Sequence, residues 1–207
     1  MPLVMLEARD KRFLSMCAVE LGLGLIAIVV GWVVGLDPRS LIPDWRDWYS
    51  VGQGLVVGCV AGIVLAIAMQ LAGMLPIRAI QSLSEYAEQQ LRLLLNGLSV
   101  GQLIAVALAA GVGEEFLFRG LIMQGMVGEM QTCTTQTLVL GILVSSLAFG
   151  LAHPMSVTYV VFAFLMGLAM GVLHWYFQNL LVPIVAHWIY DAIMMIWLVN
   201  RRNSTIT

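Results

Sequence analysis

The sequence predicts an all-α fold: a polytopic transmembrane helix bundle of about six spans plus an amphipathic interfacial helix. Of its 207 residues, 60% are hydrophobic and only 11% are charged, whereas about 25% are charged in a typical soluble domain. The mean hydropathy of +0.93 is correspondingly high. Since each crossing of the hydrocarbon layer needs about 20 apolar residues, the chain has room for about five to seven spans. No soluble second domain fits beside them.

Six apolar segments are the candidate spans, and they cover residues 14–36, 51–75, 100–125, 137–153, 158–177 and 180–199. The connecting segment 37–50 contains prolines, aspartates and an aromatic cluster, which is typical of an interfacial loop. Residues 78–96 place most of their apolar side chains on one helical face, which predicts the amphipathic helix. We expect one structural domain with two parts: residues 1–97, with two spans and the interfacial helix, and residues 98–207, with a core of about four spans.

The positions of Lys and Arg predict that both termini face the cytoplasm. In that orientation the cytoplasmic segments hold most of the basic residues: Arg9, Lys11, Arg12, Arg78, Arg92, Arg201 and Arg202. The opposite side keeps Arg39 and Arg46. A multi-pass protein of the bacterial plasma membrane, or of an internal membrane such as a thylakoid, is therefore expected. The net charge of −2 and the lack of a basic stripe argue against nucleic acid as a partner.

Ionisable side chains cost several kcal/mol in hydrocarbon, so those within spans usually face the bundle interior and pair with one another. The predicted spans nevertheless contain Glu20, Glu114, Glu115, Arg119, His153, His174, His187 and Asp191. Glu115 and Arg119 lie four residues apart with the acid first, which favours an ion pair on one helix. Glu114 then points about 100° away and lacks a local partner. An isolated carboxylate in such a place suits a general base.

Helical rise predicts which of these residues share a layer of the membrane. Counted from a turn near residues 128–134, Glu114 lies about 24 Å along its helix and His153 about 28 Å along the next. His187 lies only about 10 Å into its span, so it must reach that layer through a tilt or a later helix start. Asp191 is four residues beyond His187 and can orient its ring or tune its protonation. We expect these side chains to converge within the bundle without any need for a loop.

Three short motifs, in order along the chain, carry a family resemblance. GEEFLFRG contains Glu-Glu-x-x-x-Arg, FGLAH contains Phe-x-x-x-His, and HWIYD contains His-x-x-x-Asp. Each lies on its own hydrophobic segment. Together, over about residues 98–195, they resemble the CPBP family of intramembrane proteases, which includes the CAAX prenyl proteases and the bacterial Abi proteins. The resemblance implies hydrolysis of a peptide bond within the membrane.

The same resemblance implies catalytic roles for four residues. Glu114 and His153 would hold and activate the attacking water, and His187 with Asp191 would stabilise the oxyanion. Family members often carry Asn at the position of Asp191, and an ionised Asp accepts hydrogen bonds but cannot donate one. We therefore expect Asp191 to support His187 rather than to bind the oxyanion itself.

The remaining polar or aromatic residues of the predicted spans are expected to support the site or to have structural roles. Glu115 and Arg119 are the expected supporting pair, and Phe149 is expected to wall the cavity. Glu20 lies within two turns of the start of the first predicted span, so we expect it to snorkel or to pair with an arginine. His174 belongs to an aromatic cluster near a helix end, and we expect it at the membrane interface.

No cofactor is predicted. The four residues Glu114, His153, His187 and Asp191 have the chemistry to bind zinc, but the chain contains no HExxH sequence. Its three cysteines share no CxxC spacing and are interpreted as structural thiols.

Two further functions remain open beside the protease. The first is a non-catalytic relative that acts as a membrane scaffold or assembly factor and binds a membrane protein complex, a pigment or a lipid. The second is a small transporter with buried carboxylates as proton sites, for which an inverted repeat is expected and none is evident in the sequence. If the protein is a protease, we expect its partner to be a membrane-anchored peptide or protein, with the lipid bilayer around both.

Overall fold

The computed structural model describes the backbone of residues 3–75 and 89–200, and these residues contain helices and connecting turns without a strand. The long helices, in chain order, are α1 (Leu3–Val34), α2 (Trp48–Gly73), α3 (Val100–Val127), α4 (Thr135–Leu151), α5 (Val157–Phe177) and α6 (Leu181–Asn200). In the described ranges, five of them are long and apolar enough to cross a membrane, and α4 is a shorter apolar helix. Its 17 residues lie at the lower end of the range of about 17–25 that a span needs. The predicted all-α membrane bundle is confirmed.

Helix α1 begins earlier than its predicted span. It starts at Leu3 rather than near residue 14, so a charged segment precedes the apolar part. Lys11 and Glu7 form an ion pair of 2.8 Å across one turn of that segment. Such pairs stabilise exposed helical turns modestly, which is consistent with a helix that continues beyond its apolar stretch.

The predicted interfacial loop lies against the connection between α5 and α6. Its first part is a short 3₁₀ helix, Pro38–Leu41. The Leu180 N–H donates to the Leu41 carbonyl at 3.0 Å, and Asn179 Nδ2 donates to the Ser50 carbonyl at 2.8 Å. These bonds hold the start of α6 at the same end of the bundle as the start of α2.

The predicted amphipathic helix is described only in its last part. Residues 78–88 lie outside the described residues, and residues 89–95 are helical. Arg12 of α1 donates from Nη1 to the Leu93 carbonyl at 3.0 Å and from Nη2 to the Asn96 carbonyl at 2.6 Å. The end of this helix is therefore tied to α1, since its last carbonyls lack partners within the helix itself.

Glycines allow the helices to approach closely, as their small-xxx-small spacing predicts. A Cβ atom added at Gly58 of α2 would lie 2.6 Å from the Val185 side chain, and one at Gly62 would lie 2.6 Å from the Ala186 carbonyl oxygen. The backbones of α2 and α6 therefore lie so close together that a side chain larger than that of glycine has no room at these contacts.

Helix α3 is the most buried of the five helices that are long enough to span. Of its most apolar 18-residue stretch, 56% is buried, compared with 11% in α1. Directly after Glu115 the helix changes to a π-helix, Phe116–Met123, and then returns to α-helix. π-helical turns are rare and frequent at functional sites. The sequence did not predict this one.

Candidate active site

The structure brings the predicted site residues together around α3. Glu114 and Glu115 come from α3, His153 follows the end of α4, and His187 and Asp191 come from α6. Glu115 and Arg119 are fully buried, and Glu114 and His187 are 7% and 4% exposed. Charged groups so deep in a membrane protein are tolerated where they pair with one another, and their contacts show how they do so.

Glu115 is the centre of a buried hydrogen-bond network. Its Oε1 accepts hydrogen bonds from Arg119 Nη1 at 2.6 Å and from His187 Nδ1 at 2.9 Å. Arg119 Nη2 donates to the Gly167 carbonyl of α5 at 2.9 Å. The predicted Glu115–Arg119 ion pair is confirmed, and its acid also binds His187. One carboxylate therefore links α3 to α6, and the arginine links α3 to α5.

The ring of His187 lies between two carboxyl groups. Its Nδ1 contacts Glu115, and its Nε2 lies 3.4 Å from Asp191 Oδ2. A histidine donates hydrogen bonds from both nitrogens only as the imidazolium cation, so this arrangement stabilises the charged ring. The sequence assigned its orientation to Asp191 alone. Glu115, with the shorter and more deeply buried contact, shares that task because the crossing of α3 and α6 brings it to the other nitrogen.

His153 lies in the turn after α4 and not within a helix. Helix α4 ends at Leu151, and a residue before a proline, here Pro154, is disfavoured in helical conformation. The expectation that no loop is needed is therefore wrong. The His153 Nδ1 contacts the Phe149 carbonyl at 2.8 Å, and since a carbonyl only accepts, Nδ1 carries the proton. Nε2 faces Glu114, with 3.8 Å between it and Glu114 Oε2.

Phe149 packs against most of this cluster. Its ring is 3% exposed and lies 4.8 Å from the His153 ring and 5.7 Å from the His187 ring, centroid to centroid. The Arg119 guanidinium carbon lies 4.8 Å from the same ring centroid, which is within the range of a cation–π contact. Phe149 therefore contacts both histidines and the arginine, and its expected role as a cavity wall stays a prediction.

A family model described as "Type II CAAX prenyl endopeptidase Rce1-like" matches residues 96–193. This part of the chain is therefore similar to the Rce1-like family. It contains all three motifs and extends from just before α3 into α6, which confirms the predicted resemblance to the CAAX proteases. No curated protein and no solved structure matches the chain.

The side chains of the cluster differ in exposure. The side chains of His153 and Asp191 are 27% and 21% exposed, whereas those of Glu114 and His187 are 9% and 5% exposed. His153 and Asp191 are therefore the more exposed members of the cluster, and the ion pair of Glu115 is its most buried part.

The residues named for a zinc site do not fit one as they stand. Within residues 7–75 and 89–200, no group of three or more His, Cys, Asp or Glu side chains has a geometry that could hold a metal ion.

Two polar residues of the spans have surroundings that the sequence did not suggest. The Glu20 carboxyl of α1 is partly buried and lies within hydrogen-bonding reach of the Glu114 carboxyl, so among the described residues its neighbour is an acid and not the expected arginine. His174 of α5 is only 1% exposed and is packed among the helices, and its expected depth at the membrane interface stays a prediction. Within the described part of the chain, neither of its ring nitrogens has a hydrogen-bond partner; Glu115 and Arg119 are near enough to interact with it electrostatically. The only sequence signal for either residue was a polar side chain within an apolar run.

Proposed function

We propose that this protein is an intramembrane endopeptidase in which Glu114 and His153 activate a water for attack on a peptide bond. The observation that carries the proposal is the 3.8 Å separation of Glu114 Oε2 and His153 Nε2, which is too long for a direct hydrogen bond. A water about 2.8 Å from both atoms would form a triangle with an angle of about 85° at its oxygen. The match of residues 96–193 to a family of endopeptidases supports this proposal.

The proton positions suit this chemistry. Because His153 Nδ1–H donates to the Phe149 carbonyl, the Nε2 lone pair is free to accept one hydrogen of the water. The Glu114 carboxylate accepts the other hydrogen and takes it as a proton when the water oxygen bonds to the peptide carbon. As the tetrahedral intermediate collapses and its C–N bond breaks, Glu114 returns the proton to the leaving amine. General base catalysis of this kind contributes about 10²–10⁴-fold to the rate.

His187 supplies the charge that the oxyanion needs. Its Nδ1 is occupied by Glu115, so its Nε2–H, which now faces Asp191 at 3.4 Å, is the donor for the developing oxyanion. Asp191, as an acceptor, keeps the ring in its charged form rather than donating itself. Donors that are held in place before the reaction stabilise a transition state by several kcal/mol.

The substrate we propose is a peptide or protein that is anchored in the same membrane. The family is described as acting on CAAX prenyl substrates, and five helices of the described chain are able to span a bilayer. We further propose that both termini are cytoplasmic, in a bacterial plasma membrane or an internal membrane, since Arg9, Lys11 and Arg12 lie near the start of α1.

The deciding experiment replaces Glu114 with glutamine, which keeps the size of the side chain and removes its proton affinity. In proteoliposomes that contain a membrane-anchored CAAX peptide, with and without a prenyl group, we expect the Glu114→Gln turnover to fall at least about 100-fold. Mass spectrometry of the released peptide identifies the bond that is cleaved.

The matched control is Glu7→Gln, because Glu7 is 67% exposed and lies on α1 before its apolar part. It should leave turnover unchanged. Equal turnover in Glu114→Gln and wild type would refute the proposed base. Cleavage of no anchored peptide by the wild type, together with a stoichiometric membrane protein that copurifies, would favour the scaffold instead.

A further inference from the structure

Glu20 lies on α1, outside the Rce1-like region, and neither motif nor family assigned it a role. Its carboxyl group nevertheless lies within hydrogen-bonding reach of Glu114, and Asp191, His187 and His153 are near enough to interact with it electrostatically. A carboxyl group within a span is costly unless it faces the bundle interior. Glu20 faces the bundle interior beside Glu114, which we propose as the general base.

The backbones of α1 and α3 hold Glu20 in this place. A Cβ atom added at Gly113 would collide with the Glu20 carbonyl oxygen, and one added at Gly24 would lie 3.2 Å from the Gly113 Cα. Glycine on both helices therefore brings α1 against α3 directly beside Glu114. The position of the Glu20 carboxyl follows from this contact, because its own backbone is part of it.

The hydrogen-bonding needs of the two acids complement each other. Oε2 of Glu20 and Oε2 of Glu114 are both buried, and no N–H or hydroxyl group of the described residues donates to either. Ionised carboxylates only accept hydrogen bonds, so a bond between the two groups requires one proton between them. Such a proton would satisfy an acceptor that is otherwise left without a donor.

The charges around the pair favour the same arrangement. Four carboxyl groups meet here, from Glu20, Glu114, Glu115 and Asp191. Among the described residues, the cations in contact with them are Arg119 and the His187 ring, since His153 faces Glu114 with the lone pair of its Nε2. Four negative charges against two positive ones would be costly in a low dielectric. One proton shared between Glu20 and Glu114 reduces that excess.

From these contacts we infer that Glu20 is a positioning residue for the proposed reaction: its hydrogen bond to Glu114 holds that carboxyl toward His153. The inference rests on the proposed function and extends the site to a helix that the family match does not include. Without Glu20 the Glu114 side chain would be free to turn away from His153. Misplacement of a catalytic group by about 1 Å can cost about 100-fold in rate.

The test compares Glu20→Leu with Glu20→Gln. Leucine makes no hydrogen bond, so we expect kcat to fall about 10- to 100-fold with KM unchanged. Glutamine donates to Glu114 from its amide, so its kcat should stay within about threefold of wild type. Glu7→Leu is the matched control on the same helix and should keep wild-type kcat. Unchanged kcat in Glu20→Leu, or equal loss in both Glu20 variants with lower thermal stability, would overturn the inference.

An infrared measurement separates this inference from the proposed function, since it needs no cleavage. The carboxyl group that carries the shared proton should give a carboxylic acid C=O stretch in the wild type. This band should be absent in both Glu20→Gln and Glu114→Gln. If the wild type cleaves no substrate but shows this pattern, the carboxyl pair stands and the protease fails. A band that neither substitution removes would overturn the pair, whatever the activity.

Discussion

The ion pair of Glu115 and Arg119 allows the sharpest prediction about stability. Both side chains are fully buried and joined at 2.6 Å, and the same Glu115 oxygen accepts the hydrogen bond from His187. Glu115→Gln keeps the shape and an acceptor oxygen but removes the negative charge between the two cations. The Arg119 guanidinium cannot lose its charge in compensation, since arginine stays protonated in proteins.

The magnitude follows from the distance and the burial. At 2.6 Å and an effective dielectric constant of about 20, the attraction between the unit charges is about 6 kcal/mol. Glutamine keeps part of this attraction, because its amide oxygen still accepts a hydrogen bond from Arg119. Removing one partner of a buried pair costs about 3–5 kcal/mol, and we expect Glu115→Gln to lower the free energy of unfolding by that amount. Even the lower figure changes the unfolding equilibrium by more than about 100-fold.

The assay is equilibrium unfolding in mixed detergent micelles, followed by circular dichroism, as a double-mutant cycle with Arg119→Met. The double variant should be more stable than the sum of the single losses predicts, by at least about 2 kcal/mol. The pair Glu7–Lys11 is the control, since it has the same four-residue spacing but side chains that are 67% and 74% exposed. The double-mutant cycle of this control pair should give a coupling free energy of less than about 0.5 kcal/mol. Additive losses at Glu115 and Arg119 would refute the reasoning.

Two further predictions concern the packing of α1 and the chemistry of the site. Gly113→Ala should lower the free energy of unfolding by about 1–3 kcal/mol and reduce turnover, because its Cβ meets the Glu20 carbonyl. Gly101→Ala on the same helix, where nothing lies within 4 Å, should be neutral or slightly stabilising; equal effects in thermal unfolding would contradict the close contact. Cleavage of the anchored peptide should continue after a chelator has removed all metal detectable by elemental analysis, and loss of activity that zinc restores would show that metal is required.

The sequence could predict those parts of the site that follow from the period and the rise of a regular helix. The 3.6-residue period of a helix fixes which neighbours share a face, so Glu115 and Arg119 were recognisable as a pair from their spacing alone. The helical rise placed Glu114 and His153 in one layer, and their atoms lie 3.8 Å apart in the structure. Residues 78–88 of the predicted interfacial helix lie outside the described residues, and that prediction stays open there.

Contacts between helices could not be predicted in the same way. The bond from His187 to Glu115 and the place of Glu20 beside Glu114 depend on how α1 and α6 cross α3, and that crossing is set by glycine contacts along whole interfaces. His174 shows the same limit: its neighbours in sequence suggested a membrane interface, and the packing of the helices buries it.

By itself, the sequence determined that this chain is a membrane bundle and which residues carry its polar chemistry, because hydropathy and helical period are local properties of the chain. Only the tertiary structure decided that a carboxyl group of α1 joins the site, that His153 reaches it from a turn, and that one glutamate serves both Arg119 and His187. These depend on the approach of helices that are distant in sequence, and no local period records which faces will meet.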